Sequence, residues 1–268
     1  MSTAQPHQPR KRFGQNFLTD PDVIEKIVRS IAPQAEDTLV EIGPGRGALT
    51  MPLLTRCPTL TVIELDRDLV ARLQDLHRDY PGLRIHQGDA LRFDFSELSG
   101  PTRSLRVVGN LPYNISTPLL FHLLGFAQHL RDMHFMLQKE VVERMASPPG
   151  RKSYGRLSVM VQYFCQVDSL FTVAPECFSP RPKVDSAIVR LTPHPALPCP
   201  AEDFTVFRQL VSTCFQQRRK TLRNSLRTLL PAEAIATLDV DITIRPDNLA
   251  VKDFVALANV LARHHNGQ

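Results

Sequence analysis

Asn110-Leu111-Pro112-Tyr113 puts a side-chain amide, a proline that cannot donate a hydrogen bond and an aromatic ring into four consecutive residues. The amide oxygen and the neighbouring carbonyls can accept from an exocyclic amino group, and the ring offers a flat face to the base that carries it. Upstream, Gly43-Pro44-Gly45-Arg46-Gly47 follows the apolar run at residues 38–42. Its G-x-G-x-G spacing differs from the G-x-G-x-x-G of dinucleotide enzymes, which present a helix N-terminus to a pyrophosphate. S-adenosylmethionine carries no phosphate and needs only close backbone approach, so the shorter spacing favours it and disfavours a dehydrogenase.

The elements that must hold these groups can be read from the apolar periodicity. Short apolar runs at residues 38–42, 60–63, 83–86, 105–108 and 134–137 alternate with amphipathic segments at 20–32, 68–77 and 117–127. That order predicts a parallel α/β sheet, in which ligands bind beyond the carboxyl ends of the strands. Glu64 then stands about twenty residues beyond Gly43, at a strand end, where a carboxylate can accept from both ribose hydroxyls. Asp89 ends the next strand, placed for the adenine amino group of the same cofactor, and Asn110 ends the one after. Each acid alone reads as a solvated turn residue or helix cap, but their common register describes one cleft. Pro148-Pro149-Gly150 interrupts the pattern, further strands are predicted at 167–173 and 186–191 around a proline-rich loop at 175–182, and 193–200 reads as a linker. Beyond residue 202 only helical periodicity is present. The expected domains are therefore 1–194, carrying the sheet, and 201–268, all helical.

Composition narrows the function classes. The 268 residues are 43% hydrophobic, and no apolar run approaches the about 20 residues of a membrane span. Residues 1–10 are polar, so no signal peptide is expected. The five cysteines are scattered and never in a C-x-x-C pair, which argues against a disulfide framework or a zinc site and fits a cytoplasmic protein without a metal. The formal charge of +5 is compatible with a polyanionic partner. Arg219, Arg223 and Arg227 recur at helical spacing, flanked by Arg218 and Lys220, with Leu222, Leu226 and Leu229 predicted to face inward. This is either an ordinary solvated helix face or an RNA-binding one. Its place after a linker favours RNA, with Lys152, Arg156, Arg181 and Lys183 extending the track.

Several longer blocks carry a resemblance. Residues 11–18 (Lys-Arg-Phe-Gly-Gln-Asn-Phe-Leu), 41–50, 109–116, 154–160, 178–187 (Phe-Ser-Pro-Arg-Pro-Lys-Val-Asp-Ser-Ala) and 217–224 (Gln-Arg-Arg-Lys-Thr-Leu-Arg-Asn) resemble the ribosomal RNA adenine dimethyltransferase family, most closely its small-subunit members. The resemblance implies a Rossmann-like class I S-adenosylmethionine-dependent methyltransferase sheet with a small helical C-terminal domain. It implies cofactor contacts at Gln15, Asn16, Leu18, Gly43, Gly45, Glu64, Asp89 and Asn110, and a target adenine held between Tyr113 and Phe178. From its sequence alone Phe178 reads as a core or loop-anchoring aromatic. The implied activity is N6,N6-dimethylation of two adjacent adenosines in a hairpin near the 3′ end of small-subunit rRNA, on an immature 30S subunit. A monomer is expected, because a ribosome-sized substrate supplies the interface that a partner subunit otherwise would. Two other readings compete. One is an RNA-binding assembly factor whose checkpoint role is separable from catalysis, and the other is a DNA adenine methyltransferase, for which the chain lacks an obvious target-recognition domain.

Overall fold

The computed structural model describes residues 16–98, 100, 103–216, 220–236, 238 and 240–266. They divide into two units, one running to Val142 and including Asp168–Pro193, the other made of Glu143–Val167 and the chain from His194 onward.

The first unit is built on strands β2 (Thr38–Ile42), β3 (Leu60–Glu64), β4 (Leu83–Gln87), β5 (Leu105–Asn110), β6 (Leu130–Gln138), β7 (Cys165–Val173) and β9 (Ser186–Pro193). They form a seven-stranded sheet in the order β4-β3-β2-β5-β6-β9-β7. Neighbours from β4 to β6 are parallel, and β9 runs antiparallel to β6. The chain works outward from β2 to β4 and then returns to β5, so β2 and β5 flank the switch point where such sheets open a ligand crevice. Helix α1 (Pro21–Ile31) starts where the Asp20 carboxylate accepts from the N–H groups of Asp22 and Val23 at 3.0 Å each, and it buries Ile27, Val28 and Ile31. Helix α3 (Arg67–Asp79) is capped in the same way by Asp66. Helices α2 (Thr50–Arg56) and α4 (Ser116–Leu124) complete the crossovers after β2 and β5. Two strands of two residues each, β1 (Phe17–Leu18) and β8 (Phe178–Ser179), pair antiparallel as a separate ribbon.

The foot of the sheet is tied by charge. Arg106, 4% exposed on β5, donates to Asp37 at 2.6 Å, to Asp132 at 2.9 and 3.0 Å, and to the Ile31 carbonyl at 2.6 Å. Arg131 also reaches Asp37, at 3.0 Å. These pairs explain why β6 begins at Leu130 and not at residue 134, as the apolar run predicts. Arg131 and Asp132 break the hydrophobic pattern, yet their charges are satisfied at the sheet margin.

The second unit packs helices α6 (Arg156–Phe164), α7 (Phe204–Gln216) and α10 (Val251–Asn266). The Tyr154 ring is fully buried, its hydroxyl donating to the Leu249 carbonyl at 2.9 Å, and Tyr163 lies against Phe207 with ring centroids 4.6 Å apart. Helix α5 (Lys139–Ala146) follows β6, and α9 (Ala232–Ala236) is a single short turn. The basic stretch is not one described helix: α7 ends at Gln216, Thr221 is extended, and α8 covers only Leu222–Leu226. Leu222 and Leu226 are buried as expected, with Arg227 at the helix end. No helix among the described residues is long and apolar enough to cross a membrane.

Candidate active site

One cleft lies over the carboxyl ends of β4, β3, β2 and β5. It is lined by Asn16 and Leu18, by Gly43 and Gly45, by Glu64 and Asp89, and by the whole Asn110–Tyr113 turn. Its volume, including the open mouth, is about 1130 Å³. That is at the upper end for small-molecule sites and leaves room for a nucleoside-type cofactor together with a second base.

Two glycines are dictated by geometry. Gly45 has φ +60°, and a Cβ there would meet the Phe17 ring at 3.1 and 3.2 Å, so the turn closes against β1 only without a side chain. At Gly109 a Cβ would lie 2.6 Å from the Ile42 carbonyl oxygen, which lets β5 approach β2 just beneath the cleft. The Gly45 N–H donates to Glu64 Oε2 at 3.2 Å, and the Asp66 N–H donates to Oε1 at 2.9 Å. Glu64 is only 7% exposed, and burial raises its carboxyl above the ordinary range despite those two donors. A carboxylate with two oxygens retains lone pairs for further donors such as vicinal hydroxyls. Asp89 Oδ1 accepts from the Leu91 N–H at 3.0 Å, which fixes the turn after β4.

On the other flank, Asn110 Nδ2 donates to the Asn16 carbonyl at 2.9 Å. The Pro112 carbonyl accepts from the Ile115 N–H at 3.1 Å, and the Tyr113 carbonyl accepts from the Ser116 hydroxyl at 3.1 Å. These bonds shape the turn into α4. The Tyr113 hydroxyl lies 2.7 Å from Ser186 Oγ at the start of β9, and burial pushes its pKa upward.

Not every expected residue lies in the lining. Phe178 is 5% exposed and packs in the apolar cluster that contains Leu18, Val108, Met136 and Ile188. Its backbone pairs with Leu18, which lines the cleft, while its ring lies in that cluster. Gln15, Arg218 and Arg219 lie outside the described residues. Lys152, Arg156, Lys183, Lys220 and Arg223 are exposed, and Arg181 is exposed with its guanidinium on Glu176.

Three charged cleft residues were given no role of their own in the sequence reading, although Glu41 and Arg46 stand in the 41–50 block. Glu41, 2% exposed on β2, accepts from the Thr50 hydroxyl at 2.6 Å, and burial with the nearby Glu64 charge pushes its carboxyl up to about 7. An acid inside an otherwise apolar strand was the available signal. Asp66 lines the cleft while capping α3, and Arg46 sits 4.4 Å over the Phe17 ring.

Comparison with known proteins gives consistent results. A family model described as ribosomal RNA adenine dimethylase matches residues 6–263. The Ribosomal RNA small subunit methyltransferase A of Saccharophagus degradans is 59% identical over 257 residues, 96% of this chain and 96% of that one. That of Pseudomonas putida is 57% identical over 262 residues, 98% of each. Among solved structures, a dimethyladenosine transferase from Plasmodium falciparum superposes with TM-score 0.79 at 28% identity, covering 94% of this chain and 98% of that one.

Proposed function

The chain belongs to the ribosomal RNA adenine dimethylase family, and from that premise we propose that it transfers methyl groups from S-adenosylmethionine to adenine amines of small-subunit rRNA. The finer reading is N6,N6-dimethylation of two adjacent adenosines in a hairpin near the 3′ end of that RNA, on an immature 30S subunit in the cytoplasm, by a monomer. The observation that carries it is the single cleft shared by the Gly43–Glu64–Asp89 strand ends and the Asn110–Tyr113 turn.

The residues present fit the cofactor. Glu64, buried and oriented by two backbone donors, suits the ribose hydroxyls, Asp89 suits the adenine amine, and the Gly45 turn leaves the close backbone approach that an amino-acid moiety needs. Leu18 on β1 and Asn16 just before it line the cleft, with Gln15 assigned beside them by resemblance. S-adenosylmethionine supplies an activated methyl group on a sulfonium.

An adenine amine is a poor nucleophile because its lone pair is delocalised into the ring. Accepting hydrogen bonds from both of its protons favours a pyramidal nitrogen with the lone pair turned out of the plane. Asn110 Nδ2 is committed to the Asn16 carbonyl, which leaves Oδ1 as one acceptor. The second is a backbone carbonyl of Leu111-Pro112, the Pro112 oxygen already accepting from the Ile115 N–H with one lone pair left. The Tyr113 ring, steadied by Ser186, stacks on the base and attracts the cationic amine that methyl transfer leaves. That amine loses its proton to water, and none of the described histidines lines the cleft. The target base must be unpaired or flipped out to reach this slot. Phe178, which the resemblance sets opposite Tyr113 across the base, is buried and paired with Leu18 here, and we assign it instead a positioning role that holds Leu18 in place.

The test is transfer of labelled methyl groups to immature small subunits, with naked RNA and duplex DNA alongside and nucleoside analysis of the product. Dimethyladenosine in subunit RNA supports the reading. Cofactor binding without transfer, alongside tight subunit binding, would replace it with the assembly-factor role.

A further inference from the structure

Glu41 lines the cleft from β2, 2% exposed, and the chemistry described so far gives it no task. Its neighbours across the sheet are apolar, Val62 on β3 and Val108 on β5. Thr50 on α2 donates to Oε2 at 2.6 Å, and among the described residues nothing donates to Oε1. A sealed carboxylate with an idle oxygen is costly unless a positive charge meets it.

No cation among the described residues is paired with Glu41. The other titratable groups of the lining are Arg46, Glu64, Asp66, Asp89 and Tyr113. Arg46 lies over the Phe17 ring, and Asp66 and Asp89 accept from the backbone N–H groups of Asp68 and Leu91. The charge that bears on Glu41 is the repelling one of Glu64. With burial it holds Glu41 at about 7, so near neutral pH about half of the unliganded protein carries the neutral acid.

Sheet order says where a cation comes to lie. The strands run β4-β3-β2-β5, so β2 ends between Glu64 on β3 and Asn110 on β5. On the cofactor reading the ribose sits at Glu64 and the target amine at Asn110. The sulfonium is joined to the nucleoside and faces that amine, so its charge falls over the end of β2, where Glu41 lines the cleft.

We propose that Glu41 makes the cleft select its cofactor by charge, giving its proton to solvent when the sulfonium enters and taking one back when the neutral thioether product is left. The proposal rests on the methyltransferase reading above and gives Glu41 a part that this reading does not include. Methyl transfer moves the positive charge from sulfur to the substrate amine. The thioether then lies beside a carboxylate with no counter-charge, which recovers a proton from water, and the product is held less firmly than fresh cofactor. Two methyl groups on one amine consume two cofactors, so exchange of spent for fresh belongs to the reaction itself.

The experiment uses the full chain without RNA. Calorimetric titrations at pH 7, in two buffers of different ionisation enthalpy, count the protons released by S-adenosylmethionine and by S-adenosylhomocysteine. Affinities are also compared at pH 6 and 7.5. In the wild type the cofactor is expected to release about half a proton more than the product, and to gain roughly eightfold in affinity over that pH range relative to it. Protons linked to Glu64 cancel in this comparison, because both ligands carry the ribose. Glu41→Gln, checked for unchanged thermal unfolding, should abolish the difference and cut the preference for cofactor over product about tenfold at pH 7.5. Thr50→Val removes the hydroxyl that favours the charged form and should move the pH dependence upward. Equal release by both ligands would assign the charge to the ammonium that they share and overturn the proposal. Tight cofactor binding without proton release, or a difference that persists in Glu41→Gln, would overturn it as well. A wild type that binds neither ligand would bring down the methyltransferase reading and the proposal with it.

Discussion

Asn110 and Asn16 are joined by a hydrogen bond of 2.9 Å from the Asn110 side chain to the Asn16 backbone carbonyl, across 94 residues of sequence. On the proposed reading one amide serves two ends of the cleft, its nitrogen bonded to the Asn16 carbonyl and its oxygen left for the substrate amine. Asn110→Asp keeps an acceptor but sets an oxygen against the Asn16 carbonyl. The expected outcome is a fall in transfer rate of about a hundredfold together with weaker cofactor binding. Asn110→Ala should lose the rate at least as severely. Steady-state kinetics with cofactor titration checks both, and a full rate in Asn110→Asp would remove the dual role.

Glu41 makes the stability of the unliganded protein depend on pH. A free glutamate ionises near 4.5, and burial first, then the Glu64 charge, raises Glu41 to about 7. Its contribution is therefore fully present below pH 4.5 and is lost as pH rises through 7, a change on the order of 3 kcal/mol. Glu41→Gln should flatten that part of the profile and be the more stable form, relative to wild type, at pH 8. Urea unfolding at pH 5 and pH 8 is the measurement, and parallel profiles for the two proteins would contradict it.

Gly45→Ala tests the turn. A side chain at φ +60° and 3.1 Å from the Phe17 ring is expected to cost about 1–2 kcal/mol of stability. Because the Gly45 N–H orients Glu64, cofactor affinity should fall by more than tenfold in calorimetry.

Phe178 separates packing from stacking. As a buried ring, Phe178→Ala should destabilise the protein by about 3–5 kcal/mol, and Phe178→Leu should recover most of that. With a positioning role, Phe178→Leu keeps its transfer rate. A well-folded Phe178→Leu that has lost transfer would show that the ring itself meets the base.

The parts of the site that sequence revealed are those where local chemistry and strand periodicity coincide. Gly43, Glu64, Asp89 and Asn110 each close an apolar run, so both the strand and the residue beyond it were legible. The missed parts depend on distant pairing. Strands β1 and β8 are two residues each and exist only because Phe17 and Leu18 meet Ser179 and Phe178. Helix α2 is seven residues without a side-chain cap, whereas α5, though amphipathic, follows β6 with no break, and α6 starts on a local bond from the Gly155 N–H to Ser158 that periodicity does not reveal. Glu41 was passed over although an acid in an apolar strand is itself a signal, and what the strand alone does not say is that this acid would be sealed beside Glu64.

The charge cluster at Arg106 has a dynamic consequence. Arg106 ties Asp37, Asp132 and the end of α1 together at the foot of the central strands, while the opposite ends of β2 and β5 run out into glycine and proline turns. Amide exchange should accordingly be slowest at Val107 and Leu39 and quicken toward Gly43 and Asn110. Such a gradient would make the sheet stiffest at its charged foot and most yielding at the rim where, on the proposed reading, cofactor and base meet.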